Sequence, residues 1–368
     1  MTERLLSLAM LLSGLASAGE SALRERIVFL GSSSTDGFTY PLLAGQALEA
    51  SGKPVPLLHN AGAGGNTAAD MLKRFDRDVA PWKPARVVIQ SGVNDASKAV
   101  PLDDYLATVR QLIERAKANG AKVVLLTPNR IGAKHGEAVA RVAAFAEALR
   151  NLAGETGCAL GDPHALMEEG AAQGAELLEA DALHPNFAGY RLLARAVLNA
   201  LGHPDVPVPE ALEAKLLPGV ISEWRLSPVL ERKTPPLDAA GVAALTPDAT
   251  WVSVRVPQPL PEQATHWWQD QIRREGYVLG LKDVVGAGAR YIGLATVDRA
   301  EAGAAVLNTG GQLQTVWLNG VLVYKSKEWT GYHAGRERIP VELKAGANRL
   351  VIETGDSFFV SLTETPDW

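Results

Sequence analysis

Arg26-Ile-Val-Phe-Leu-Gly-Ser-Ser-Ser-Thr-Asp-Gly37 contains an apolar run, Ile27 to Leu30, that stops at a glycine followed by three serines. The run is continuous rather than alternating, as in a strand covered on both faces of a parallel sheet. A glycine and small hydroxyl residues after such a strand make a tight entry into a helix. Two chemistries fit that entry: a cradle for a phosphate, or a reactive hydroxyl. No P-loop lysine follows, which leaves Ser32, Ser33 and Ser34 as candidate nucleophiles.

Outward from this segment the pattern repeats. Further short apolar runs lie at Val55–Leu58, Val87–Ile89, Val123–Leu126 and Cys158–Leu160. Helical periodicity separates them at Leu42–Ala50, Thr67–Val79, Leu102–Ala118 and Gly136–Leu152, and a last helix runs from about Asn186 to Leu201. This alternation predicts an α/β domain, a parallel sheet between two helical layers with right-handed crossovers. From Gly202 to Pro218 the chain is proline-rich and reads as a linker. Beyond it, seven of the eight tryptophans join many short strand-like runs. Asn319-Gly320 in TVWLNGVLVY fits a two-residue hairpin turn, and LKAGANRLVIE suggests a second hairpin. The second half is therefore expected to be an antiparallel β-sandwich. The expected division is 1–18 signal peptide, 24–203 α/β catalytic domain, 204–222 linker and 223–368 β-sandwich.

Composition excludes several classes. A net charge of −5, with no basic run longer than a pair such as Arg273-Arg274, argues against a nucleic-acid partner. The apolar stretch Leu5–Ala16, followed by Ala16-Ser17-Ala18, is too short to span a bilayer. It reads as a signal peptide, so a secreted or periplasmic protein without stable membrane insertion is expected. Cys158 stands alone and forms no intrachain disulfide. Clustered metal-ligand spacing is absent, and neither a metal nor another cofactor is expected.

In open α/β sheets ligands sit beyond the carboxyl ends of the strands. The polar residues at those ends are Gly31 to Thr35, Asn60 to Thr67, Ser91 to Asp95, and Asp181-Ala-Leu-His-Pro185 before the last helix. Each has a plain reading. Asn94 and Asp95 could cap a helix, Asp181 and His184 could lie in a surface loop, and AGAGG lacks the spacing of a dinucleotide loop. Together they are the parts of an acyl-transfer site.

The four blocks in this order resemble those of the SGNH hydrolases, the GDSL esterase/lipase family, over roughly Arg26 to Leu201. Gly31, Ser33 and Thr35 align with the first block, with Ser32 where the family usually has aspartate. Asn60, Gly62, Gly65 and Thr67 align with the second, Gly92, Asn94 and Asp95 with the third, and Asp181, His184 and Pro185 with the last. The resemblance implies flavodoxin-like α/β/α layering, a Ser33–His184–Asp181 triad, and an oxyanion hole from the amides of Ser33 and Gly65 and the carboxamide of Asn94. The chemistry agrees: a serine hydroxyl needs a base, the base needs an acid to orient it, and the oxyanion needs prearranged donors. Glycine at 65 is expected because a missing Cβ lets its amide approach a substrate closely. Asp162 and His164 form a second acid–histidine pair at another spacing, and His59 precedes the second block.

The second half resembles, more loosely, galactose-binding-type β-sandwiches. KEWTGYHAG offers Trp329, Tyr332 and His333 for stacking on a sugar, against the alternative that the tryptophans fill a core. The expected function is a secreted serine esterase removing acetyl or other short acyl groups from a carbohydrate. A lipid esterase or thioesterase of the same fold, or a non-catalytic carbohydrate-binding protein, are the alternatives.

Overall fold

Residues 25–260, 266–327 and 332–367 are described by a computed structural model of the chain. The expected signal peptide and Trp329 lie outside the described residues. Five strands, β1 (Arg26–Gly31), β2 (Leu57–Gly62), β3 (Arg86–Gln90), β4 (Lys122–Leu126) and β5 (Ala159–Gly161), pair in the order β2-β1-β3-β4-β5. Every pairing is parallel. Around them run α1 (Ser33–Asp36), α2 (Thr39–Ala50), α3 (Ala68–Asp78), α4 (Val93–Ser97), α5 (Leu102–Ala118), α6 (Glu137–Thr156), α7 (Pro163–Ala172) and α8 (Phe187–Ala200).

The continuous apolar runs are explained by the two helical layers. Val28, Leu30, Val87, Ile89, Val123 and Leu125 pack into one core with residues of α3, α5 and α6. Ile27, Phe29, Val88, Val124 and Leu126 pack into the other with residues of α2 and α8. Adjacent residues thus face opposite cores, and no face of the sheet is left for polar side chains. The second strand starts two residues later than expected. Pro54 and Pro56 lack N–H groups, and pairing begins where the Leu57 amide donates to Glu25 O at 2.7 Å. The shift carries Asn60 and Gly62 into the strand end itself.

The linker is not a free tether. Val206 is buried in the second core, and the Arg191 guanidinium on α8 donates to the carbonyls of Pro209 and Val208 and pairs with Glu210.

The second domain contains β6 (Glu223–Leu226), β7 (Val252–Arg255), β8 (Val278–Leu279), β9 (Tyr291–Arg299), β10 (Gly303–Leu318), β11 (Val321–Lys325), β12 (Arg338–Leu343) and β13 (Gly346–Thr363). They form an antiparallel sheet in the order β11-β10-β13-β9-β6-β7, with β12 on β10 and β8 on β13. The pairing of the long strands β10 and β13 shifts register between Gly311 and Thr315, the mark of a bulge. Trp224, Leu226, Leu307, Val316, Val341, Ile352 and Phe358 fill the main core of this domain. The Asn319-Gly320 hairpin forms, with φ of 51° and 85°. LKAGANRLVIE is not a hairpin: β12 pairs with β10, while the start of β13 pairs with β9. Three helices also interrupt this β-rich half, α9 (Ala239–Ala244), α10 (Trp267–Glu275) and α11 (Leu281–Val285). Among the described residues no helix is long and apolar enough to cross a membrane.

Candidate active site

The strand order reverses direction at β1, and the loops after β1, β2 and β3 converge at that point. Ser33 is the first residue of α1. Its Oγ lies 2.8 Å from His184 Nε2. The other imidazole nitrogen, Nδ1, lies 2.5 Å from Asp181 Oδ2. Asp181 Oδ1 accepts the amides of Leu183 at 2.9 Å and His184 at 3.0 Å. The three-residue spacing therefore closes a turn in which one carboxylate oxygen holds the backbone and the other holds the ring. Burial would raise the Asp181 pKa, but the hydrogen bonds from the His184 ring and from these amides outweigh it and hold the carboxyl down to about 2. It is ionised wherever the imidazole can act as a base.

The neighbouring hydroxyls face elsewhere. Thr35 Oγ1 and Tyr40 OH are 2.9 Å apart in the core, and Ser34 hydrogen-bonds the phenol of Tyr190. Ser32 caps α1 through its carbonyl, which accepts the amides of Thr35 and Asp36. Of the three serines, Ser33 is the one whose hydroxyl meets a histidine.

The second block packs directly on the first. A Cβ at Gly62 would come within 2.3 Å of the Asp36 amide nitrogen, so glycine is what lets β2 end against α1. Asn60 Nδ2 donates to Asp36 O at 2.8 Å, and Asn60 Oδ1 accepts the Gly62 amide at 2.8 Å. Gly65 occupies a turn at φ +75°, and a Cβ there would meet nothing within 4 Å. Glycine at 65 is thus required by backbone conformation rather than by close approach of its neighbours. Asn94, on α4, donates Nδ2 to Asn66 O at 3.0 Å, so the third block reaches the loop of the second. Asp95 does cap a helix, but a distant one: its carboxylate accepts the Ala68 amide at the start of α3. Thr67 and Asp70 complete that start with a reciprocal capping box.

Two residues were not singled out by sequence. Arg74, buried on α3, donates to Gly31 O at 2.9 Å, Ala61 O at 2.7 Å, Asn66 Oδ1 at 2.7 Å and Asp78 Oδ2 at 2.9 Å. One guanidinium thereby fixes the ends of β1 and β2 and the Asn66 loop. Its signal was a cation on the apolar side of an amphipathic helix. Asp36, one helical turn after Ser33, is buried beside it. Burial drives the Asp36 pKa up to about 7 against the amides of Tyr332 and Gly64, which donate to the carboxylate.

Tyr332 belongs to the second domain, and its amide lies 2.7 Å from Asp36 Oδ1. From α10, Gln271 joins Thr39 and Gly37. Trp267 donates its indole N–H to Glu179 at 2.9 Å, gripping the loop that carries Asp181 and His184. The two domains enclose a cleft of about 1110 Å³. Ser33, Gly64, Asp181 and His184 line one side; Trp268, Gln312, Gln314, Lys325 and Tyr332 line another.

The other singled-out residues lie outside this cleft. Asp162 caps α7 and pairs with Arg150, and His164 is buried. His59 is buried, its ring 3.9 Å from that of Trp82; burial and the nearby Arg338 lower its pKa well below the usual range. His333, expected to be available to a sugar, is also buried. Trp224 and Trp317 fill cores as the plain reading held. Among the described residues no group of three or more His, Cys, Asp or Glu could hold a metal ion.

Residues 29–192 match the GDSL-like lipase/acylhydrolase family. The acetylxylan esterase of Geobacillus stearothermophilus is 32% identical over 155 residues, which span 39% of this chain and 71% of that protein. Esterase TesA of Pseudomonas aeruginosa is 33% identical over 132 residues, 35% of this chain and 61% of its own length. Among solved structures, an α/β-hydrolase enzyme from the metagenome of Lake Arreo, Spain, shares 26% identity, with a TM-score of 0.46 over 49% of this chain and 96% of that one. On the family match and the acetylxylan esterase relative, the chain belongs to the GDSL-like lipase/acylhydrolase family and is a serine carboxylic-ester hydrolase.

Proposed function

We propose that the chain is an exported esterase that removes short acyl groups, chiefly O-acetyl, from a carbohydrate. The observation that carries the catalytic part is the Ser33–His184–Asp181 chain of hydrogen bonds on one side of the cleft. Ser33 Oγ attacks the ester carbonyl carbon as His184 Nε2 takes its proton, and Asp181 balances the imidazolium charge. The amides of Ser33 and Gly65 and the Asn94 carboxamide receive the oxyanion. Collapse expels the sugar hydroxyl, which leaves with the proton held by His184. Water, deprotonated by the same imidazole, then attacks the acyl-serine; acetate departs and Ser33 is restored.

The carbohydrate part is supported by the acetylxylan esterase relative. It is supported too by a cleft far larger than an acetyl group, in which Gln312, Gln314 and Lys325 offer hydrogen bonds beside the Trp268 ring. The test is acetate release from acetylated xylan and pectin, compared with hydrolysis of long-chain esters. Release from the glycans is expected; a preference for long acyl chains overturns the reading.

A further inference from the structure

The active-site cleft does not end at the aromatic residues of the second domain. A second hollow of about 600 Å³ lies beyond them, and the two hollows share His266, Trp268 and Tyr332 as lining. These three rings form a row. Trp268 and Tyr332 have centroids 5.7 Å apart, and His266 and Trp268 are nearly parallel, 25° between planes and 6.4 Å apart. The adjacent Trp267 is committed elsewhere: its N–H is bound to Glu179 and its ring meets Phe187 and Tyr190 edge-on. Trp268 is half-buried and opens onto both hollows.

The second hollow is lined by charges of both signs, Arg255, Lys282, Asp283 and Asp356 among them. Such a lining favours neither an anion nor an acyl chain. It offers donors and acceptors to a neutral, hydroxyl-rich molecule, while the ring faces suit the apolar C–H faces of such a molecule.

We propose that the row His266, Trp268 and Tyr332 carries a saccharide chain from the catalytic cleft into the second hollow, making the latter a subsite for sugar units remote from the esterified one. This rests on the carbohydrate reading above. The ligand is a neutral oligosaccharide longer than the portion held at Ser33.

The test is a length series of acetylated xylo-oligosaccharides, monosaccharide to hexasaccharide, with acetate release measured on the wild-type protein and on Trp268→Ala. Wild-type kcat/KM is expected to rise by about 10-fold or more along the series, chiefly through KM, since one stacked ring and its contacts supply a tenfold effect. Trp268→Ala should remove most of that rise, and Trp268→Phe should restore part of it, a recovery that a merely structural role would not tie to chain length. The wild-type series stands even where a variant fails to fold. Release that is independent of length, or a Trp268→Ala loss equal at every length, overturns the subsite while leaving the esterase reading intact. No release at any length, with p-nitrophenyl acetate still hydrolysed, overturns both.

Discussion

Asp181→Asn tests the relay with little change of shape. The amide oxygen keeps the Leu183 and His184 amides, but Nδ2 would face His184 Nδ1 where a carboxylate oxygen now accepts at 2.5 Å. Two donors cannot share that contact, so the ring must adopt the tautomer with its proton on Nε2, which then cannot take the Ser33 proton. The lost charge also no longer balances the imidazolium. With charge centres about 4 Å apart, that interaction amounts to about 4 kcal/mol at an effective dielectric near 20 and about 1 kcal/mol in bulk water. The Asp181 side chain is 48% exposed, so solvent screens it and the value falls between these limits. The expected fall in kcat is therefore about 5- to 10³-fold, below the 10⁴ typical of a buried acid. Stopped assays with p-nitrophenyl acetate give kcat and KM, and thermal melts check the fold. A loss under about twofold at an unchanged Tm refutes the relay through Asp181.

Ser33→Ala should abolish fluorophosphonate labelling, whereas Ser32→Ala and Ser34→Ala should retain it; labelling that survives Ser33→Ala sinks the nucleophile assignment. Asn94→Ala should lower kcat by about 10²–10³-fold with little effect on KM, read from saturating kinetics. Arg74→Met would undo four hydrogen bonds; Asp78 keeps Arg77, but the Gly31 and Ala61 carbonyls lose this donor, at a cost of about 2–4 kcal/mol in urea unfolding; a cost below about 1 kcal/mol would show that the hub is dispensable. Asp36 has a folded pKa raised to about 7 by burial. The folded state therefore binds the extra proton, stability is full below about pH 4, and it declines as pH rises towards 7. Denaturant titrations at pH 5 and pH 8 should show that decline, and Asp36→Asn should remove part of it, the rest coming from Glu275, which burial likewise raises to about 7.

The α/β fold was legible because its strands are buried on both faces, so local sequence and tertiary environment agree along β1, β3 and β4. The first three site blocks were legible because each sits at the carboxyl end of a strand, and the fourth because it comes directly before the last helix of the α/β domain. What escaped was set by contacts distant in sequence. Nothing near Arg74 announces that it binds Gly31 O, 43 positions earlier. Nothing near Asp36 announces Tyr332, 296 positions later. The helix Trp267–Glu275 went unread because the surrounding half is rich in strand signals. Its apolar residues divide between the domains: Trp267 packs on Phe187 and Tyr190 of the first, and Ile272 joins Tyr277, Leu279 and Phe359 of the second. LKAGANRLVIE misled because a local turn does not reveal which strand each arm joins.

The joint between Asp36 and position 332 is made by a main-chain N–H. Every residue except proline supplies that donor, so the identity of residue 332 is released from the task of holding the two domains together. Its side chain lines the cleft and packs on Trp268, while the donor to Asp36 stays with the backbone whatever that side chain is. A substitution here therefore reshapes the wall of the cleft while leaving in place the hydrogen bond beside the nucleophile.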